Sequence, residues 1–159
     1  MPITMKKISS RSLFITKKVL PVLWFGILAF VLIAGILSKA YNGNPMVIVG
    51  PGIMIVFGYF MMKKLVWDLV DEVYDYGDYL LVRNGGQEER VALSNIMNVS
   101  ATTLVNPPRI TLRLVKPGRF GPEIAFSPVV PLTLNPFAKN AVAEELIVRA
   151  YAAREKHSA

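Results

Sequence analysis

The sequence predicts a membrane hairpin of two α-helices followed by a small cytoplasmic α+β domain. Two uncharged apolar runs, 19–38 and 46–62, are separated by a short polar turn. Positive charge gathers beside these runs, while Asp68 is the first acidic residue of a 159-residue chain. From residue 69 the texture changes to short alternating segments broken by Gly, Pro and Asn, and ends in a stretch of period 3.6.

The formal net charge of +7 suggests a nucleic-acid binder at first sight. Its distribution argues otherwise. Lys6, Lys7, Arg11, Lys17, Lys18, Lys39, Lys63 and Lys64 fall in residues 1–65 without a single acid, and the rest of the chain is nearly balanced. Basic residues that flank apolar runs suit the anionic cytoplasmic leaflet of a membrane. Membrane lipid is therefore the expected partner, and nucleic acid is not.

Residues 1–18 read as a basic juxtamembrane arm, in which Leu13, Phe14 and Ile15 accompany the five cations. Each base close to an anionic surface contributes about 1 kcal/mol. The run 19–38 holds 20 uncharged residues, which as a helix reach roughly 30 Å, the thickness of a hydrocarbon core. Ser38-Lys39-Ala40 loosely fits a signal-peptidase site. The 18 residues before the run and the length of the run itself exceed what a signal peptide uses. A turn follows at 39–45, then the second run, 46–62, of 17 residues. That length is near the lower limit for a span, and snorkelling of Lys63 and Lys64 extends it. Five Lys and Arg precede the first run, two follow the second directly and one lies in the turn. Both termini are therefore expected in the cytoplasm. Lys17, Lys18, Lys63, Lys64 and Trp67 are the expected interface anchors, with 63–68 as the junction to the domain.

Gly50, Pro51 and Gly52 interrupt the second run. They predict either a kink packed against the first span or a close-packing notch for a partner helix. Neither span carries a charge or a GxxxG pair, so transport by this chain alone is not expected.

The domain is expected over 69–156. Strands are predicted at 69–76, 79–83, 89–93, 97–103, 109–115 and 123–126. Turns fall at Tyr76-Gly77-Asp78, at Asn84-Gly85-Gly86 and at Asn106-Pro107-Pro108, and a loop spans 116–122. The alternation is cleanest where Ile110, Leu112 and Leu114 oppose Arg109, Thr111 and Arg113. Residues 127–134, with two prolines, suit an irregular edge. A helix is predicted over 136–155, capped by Asn135 with Pro136 at its first position. Its apolar stripe is Val142, Ala143, Leu146, Ile147, Ala150 and Tyr151, and Glu145 with Arg149 forms an i,i+4 pair.

A two-span hairpin, the segments VDEVYDYGDYLLVRNGG (70–86) and VALSNIMNVS (91–100), and a closing helix together resemble small bacterial membrane proteins with a bacterial pleckstrin-homology-like (PH-like) domain. The resemblance implies a bent antiparallel sheet or barrel closed by the C-terminal helix, tethered to the bacterial inner membrane. It carries no agreed catalytic motif or ligand, so no functional residue transfers from it.

Chemistry-bearing patterns are sparse. There is no cysteine, hence no disulfide and no thiolate nucleophile. His157, near the end, reads as a surface residue, and no phosphate-binding or dinucleotide motif occurs. No cofactor is expected. Asp68, Asp71, Glu72, Asp75 and Asp78 lack the loop spacing of a calcium site and read as a solvated face, not a metal site. Were the chain an enzyme, this acid cluster would be its sole support, tested by substitution of Asp71 and Asp75. Arg109, Arg113, Lys116 and Arg119 form the candidate contact for lipid headgroups or an acidic partner, against the plainer reading of a wet sheet face. The expected function is a non-enzymatic, membrane-anchored binding or scaffold module that engages a protein partner, a lipid or a second copy. The alternative is an accessory or assembly subunit of a larger membrane complex, making contact through its hairpin.

Overall fold

A computed structural model describes residues 5–11, 13, 15–102, 108–129 and 140–158. Two units emerge: Phe14–Asp68, and Met1–Leu13 together with Leu69–Ala159.

The first unit is a helical hairpin. Helix α1 covers Leu20–Leu37 and α2 covers Met46–Met62. Each continues into a wide π-type turn, Ile15–Val19 before α1 and Lys63–Trp67 after α2. The continuous helices, Ile15–Leu37 and Met46–Trp67, are both long and apolar enough to cross a membrane. Helix limits thus differ from the apolar limits: Lys63 and Lys64 do not stop the second helix, because lysine is a good helix former. Ser38 leads into Lys39 with φ of 54°, a left-handed residue that ends α1 and turns the chain. Asn44 Oδ1 then accepts the N–H of Met46 at the start of α2. Close contact between the helices depends on Gly35, where a Cβ would lie 2.7 Å from Val47 Cγ1, and on Gly58, where it would lie 2.6 Å from Trp24 Nε1.

The second unit holds two antiparallel sheets and a helix. Strands are β1 (Lys6–Lys7), β2 (Glu72–Asp75), β3 (Tyr79–Asn84), β4 (Gln87–Ala92), β5 (Ile96–Thr102), β6 (Arg109–Gly118) and β7 (Gly121–Phe126), followed by α3 (Ala141–Ser158). One sheet has the order β1-β2-β3-β4 and the other β5-β6-β7. The sheet is not closed into a barrel: β4 and β5 belong to different sheets, joined by a tight turn at Leu93–Asn95. Helix α3 packs on that turn and on β5. Ala143, Leu146 and Ala150 of α3 enter the core with Val73, Leu80, Val82, Ile96, Ile110, Leu112, Ile124 and Phe126. Tyr151 does not join the stripe: it is 58% exposed, and Arg154 lies over its ring at 4.5 Å.

The Asn84-Gly85-Gly86 turn is as predicted. Asn84 pairs with Gln87, and both central glycines have positive φ (57° and 80°), the type I′ geometry that two-residue hairpins prefer. The predicted alternation on β6 also holds, with Ile110, Leu112 and Leu114 buried. The predicted loop 116–122 is instead a continuation of the β6–β7 hairpin: a register shift after Arg113 lets the strand run on until Gly118 faces Gly121. Helix α3 is capped by Asn140, whose Oδ1 accepts the N–H groups of Val142 and Ala143. The expectations at Asn106-Pro107, at Asn135 and Pro136 and over 130–134 lie outside the described residues.

The largest departure is at the N-terminus, where the sequence reading has one juxtamembrane arm over 1–18. Lys6 and Lys7 form β1 and pair with Asp75 and Tyr74. Ile8 donates to Val73 O, Ser9 bridges to Pro128 and Ser10 donates to Ser127 O. The buried Ser9 hydroxyl accepts the N–H of Val73 at 3.0 Å. This short segment therefore touches both sheets. The helical hairpin is an insertion between β1 and β2. Leu13, just before the insertion, and Leu69, just after it, are buried in one small cluster with Ala125. Val70 N–H donates to Ala125 O at 2.7 Å.

Candidate functional site

The candidate contact residues divide into two groups. Arg109 and Arg113 lie on β6, opposite the buried Ile110, Leu112 and Leu114. Arg109 Nε donates to Thr111 Oγ1 at 3.3 Å, and Arg113 Nε lies 3.6 Å from Glu123 Oε1 on the neighbouring strand. Glu123 thus offsets part of this face. Lys116 and Arg119 are exposed near the hairpin tip, beyond the register shift. Two side chains from other elements hold this tip. Asn95 accepts the Lys116 N–H at 2.9 Å and donates to the Lys116 carbonyl at 3.0 Å. Glu89 on β4 accepts the N–H of Arg119 at 2.8 Å and that of Phe120 at 3.3 Å.

The expected interface anchors all fall on the two wide turns that end the long helices. Lys17 and Lys18 are on one, and Lys63, Lys64 and Trp67 are on the other. Trp67 packs edge-on to Tyr59 with ring centres 5.6 Å apart. Pro51 lies inside α2 without ending it. A Cβ at Gly50 or Gly52 would meet nothing within 4 Å, so neither glycine is where the two helices approach most closely. That role belongs to Gly35 and Gly58. Their partners lie on the other helix, so no local motif reveals them.

The acidic segment is less uniformly solvated than its sequence suggests. Asp71 accepts the Gly85 N–H at 2.8 Å. Glu72 pairs with Lys7, accepts the Tyr74 hydroxyl and lies 3.8 Å from Arg83. The Lys7 hydrogen bond outweighs burial and holds the Glu72 carboxyl below its ordinary range. Asp75 is buried on the face shared with Val73. Arg149 of α3 grips it with both nitrogens, at 2.5 and 2.9 Å, and also donates to the Gly77 carbonyl at 2.5 Å. Gly77 N–H donates to Asp75 Oδ1 at 2.9 Å. Burial works to raise the Asp75 carboxyl, but the Arg149 and Gly77 hydrogen bonds prevail and lower it. The Asp75 hydrogen bond likewise holds the guanidinium above its usual range. The i,i+4 contact of Arg149 with Glu145, at 3.3 Å, is secondary to this. Period-2 alternation from Val73 is the signal that places Asp75 inward.

Beside this pair lies an open cleft of about 360 Å³, lined by Gly77, Asp78, Leu93, Ser94, Arg149, Ala152, Ala153, Lys156 and His157. His157, read from sequence as a tail residue, is exposed on its wall. Among the described residues, no group of three His, Cys, Asp or Glu side chains is placed to hold a metal ion. Compared with family models, with curated proteins and with solved structures, the chain matches none of them.

Proposed function

We propose that this protein is a non-enzymatic, membrane-anchored binding module of the PH-like kind. In this reading its sheet unit lies on the cytoplasmic face of a bacterial inner membrane and engages anionic lipid, a protein partner or a second copy. The observation that carries the reading is the insertion of two membrane-length helices between β1 and β2. Segments from both sides of the insertion build one folded unit, so in a membrane both must lie on the same face. By the positive-inside rule, the lysines at 17, 18, 63 and 64 favour the cytoplasmic side for that face. The outer surface of the helices supports insertion: Phe30, Leu37 and Phe57 are among many large apolar side chains left exposed, and such a surface suits lipid far better than water. The four-plus-three strand arrangement, with a C-terminal helix packed on the turn between the sheets and on β5, supports the PH-like assignment. Native mass spectrometry of the intact chain from mild detergent tests the function. Bound lipid, a copurified protein or a dimer is expected, and a bare monomer under all conditions overturns it.

One observation favours contact through the hairpin as a second reading. The open space at Gly50 and Gly52 leaves α2 a surface that a partner helix can approach closely. Bulky Gly50→Leu and Gly52→Leu substitutions remove a copurifying partner on this reading and leave it in place on the first.

A further inference from the structure

We propose that the tip of the β6–β7 hairpin is a phosphate-binding nest, occupied here by the chain's own Glu89. Two successive main-chain N–H groups, of Arg119 and Phe120, converge on the two oxygens of one carboxylate. Consecutive N–H groups aimed at one anion are the geometry by which turns cradle oxyanions. The approach depends on Gly118, because a Cβ there would lie 2.7 Å from the Glu89 carboxyl carbon. Glu89 comes from the other sheet, 30 residues away in sequence, so the contact is not a consequence of the turn itself. Its neighbour Glu88 is ion-paired with Arg83, whereas the Glu89 carboxylate rests on the two N–H groups and on no ion pair among the described residues.

The surroundings favour an anion with more charge than a carboxylate. Lys116 and Arg119 are exposed at the same tip. Asn95 fixes the backbone at Lys116 in both directions, so the arm carrying the nest is held before a ligand arrives. A phosphate offers oxygens for both N–H groups and a further one for a cation, which the Glu89 carboxylate, with its two oxygens on the N–H groups, does not. When phosphate enters, Glu89 swings into solvent. Glu89 thus acts as an internal competitor that sets how much phosphate is needed. This inference rests on the binding-module reading and gives it a site.

The test uses the intact chain in a maltoside detergent, which carries no phosphate. Inorganic phosphate is titrated against wild type and Glu89→Gln while the Arg119 and Phe120 amide resonances are followed. A parallel arm uses a soluble short-chain phosphatidylglycerol. Those two amides should move in both proteins, with Glu89→Gln responding at about tenfold lower concentration, a difference of about 1.4 kcal/mol from one repelling charge near the site. Lys116→Ser with Arg119→Ser should weaken the response at least as much. A response to the diester assigns a lipid headgroup, and a response to inorganic phosphate alone assigns a free phosphate ligand. Silent Arg119 and Phe120 amides at millimolar phosphate in both proteins, with an unchanged Leu112 amide reporting an intact fold, overturn the nest. A native mass spectrum of Glu89→Gln that still shows a bound partner then leaves the module reading standing without it.

Discussion

Removal of the Arg149 guanidinium is the most revealing single perturbation. The pair it forms with Asp75 is bidentate and mostly shielded, with the side chains 27% and 12% exposed. Arg149→Ala leaves the buried Asp75 carboxylate with the Gly77 N–H as its remaining strong donor. Stranding a fully buried charge costs about 3–5 kcal/mol, and the partial exposure here reduces this to about 2–3 kcal/mol. At tenfold per 1.4 kcal/mol, α3 amides should exchange roughly 30- to 140-fold faster. Hydrogen exchange of the intact chain in detergent, comparing 141–157 with 109–118, reads this directly. Adding Asp75→Asn to Arg149→Ala should recover part of the loss, because no charge is then left unpaired. A change below about threefold, or a double variant no better than the single one, refutes the argument. The pH dependence follows from the lowered Asp75 carboxyl. Its contribution is full above the ordinary value of 3.8 and is lost as pH falls through the lower folded value, so thermal stability of wild type but not of Asp75→Asn should carry this component.

Other outcomes follow from the same geometry. Ser9→Ala strands the buried Val73 N–H and should cost about 1–3 kcal/mol in denaturant titrations. Lys7→Ala, which breaks a more exposed pair, should cost under about 1 kcal/mol. Gly58→Val drives a side chain into the Trp24 indole and should cost about 1–3 kcal/mol with a shifted Trp24 emission in a Trp67→Phe background, whereas Gly50→Val should leave both unchanged. The chain has no cysteine, so Asn42→Cys and Ser100→Cys provide single labelling sites. An impermeant thiol reagent applied to the cytoplasmic side should reach Ser100→Cys and not Asn42→Cys, and the opposite result inverts the topology.

Local features were legible in the sequence because their causes are local. The Asn84-Gly85-Gly86 turn, the alternation from Arg109 to Leu114 and the two apolar runs each carry their reason within a few residues. What the sequence hid depends on partners far away. Lys6 to Ser10 look like the start of a basic arm because β1 is two residues long, too short to show a period, and the residues it pairs with come after the hairpin. Lys116 to Gly118 read as loop because a register shift carries β6 past a proline. The four bases of the candidate patch fall in two groups along the β6–β7 hairpin, and neither the Glu123 offset nor the Glu89 contact is visible without the strand register. Asp75 reads in sequence as one of a solvated acidic set, although Arg149, 74 residues later, draws it inward.

The position of the hairpin within the sheet unit also orders the protein's biosynthesis. Lys7 must wait for Glu72, 65 residues further along the chain, before its strand has a neighbour. At about 5–20 residues per second that is a delay of several seconds, during which both helices are made. On the proposed topology, β1 can meet β2 only if the chain has crossed the bilayer and come back. A copy whose second helix failed to insert would leave its first strand on the opposite side from its partner, with Val73 and the rest of that edge uncovered. Completion of the sheet would then serve as a check on correct insertion, and copies that fail it would present an unfinished edge to proteolysis.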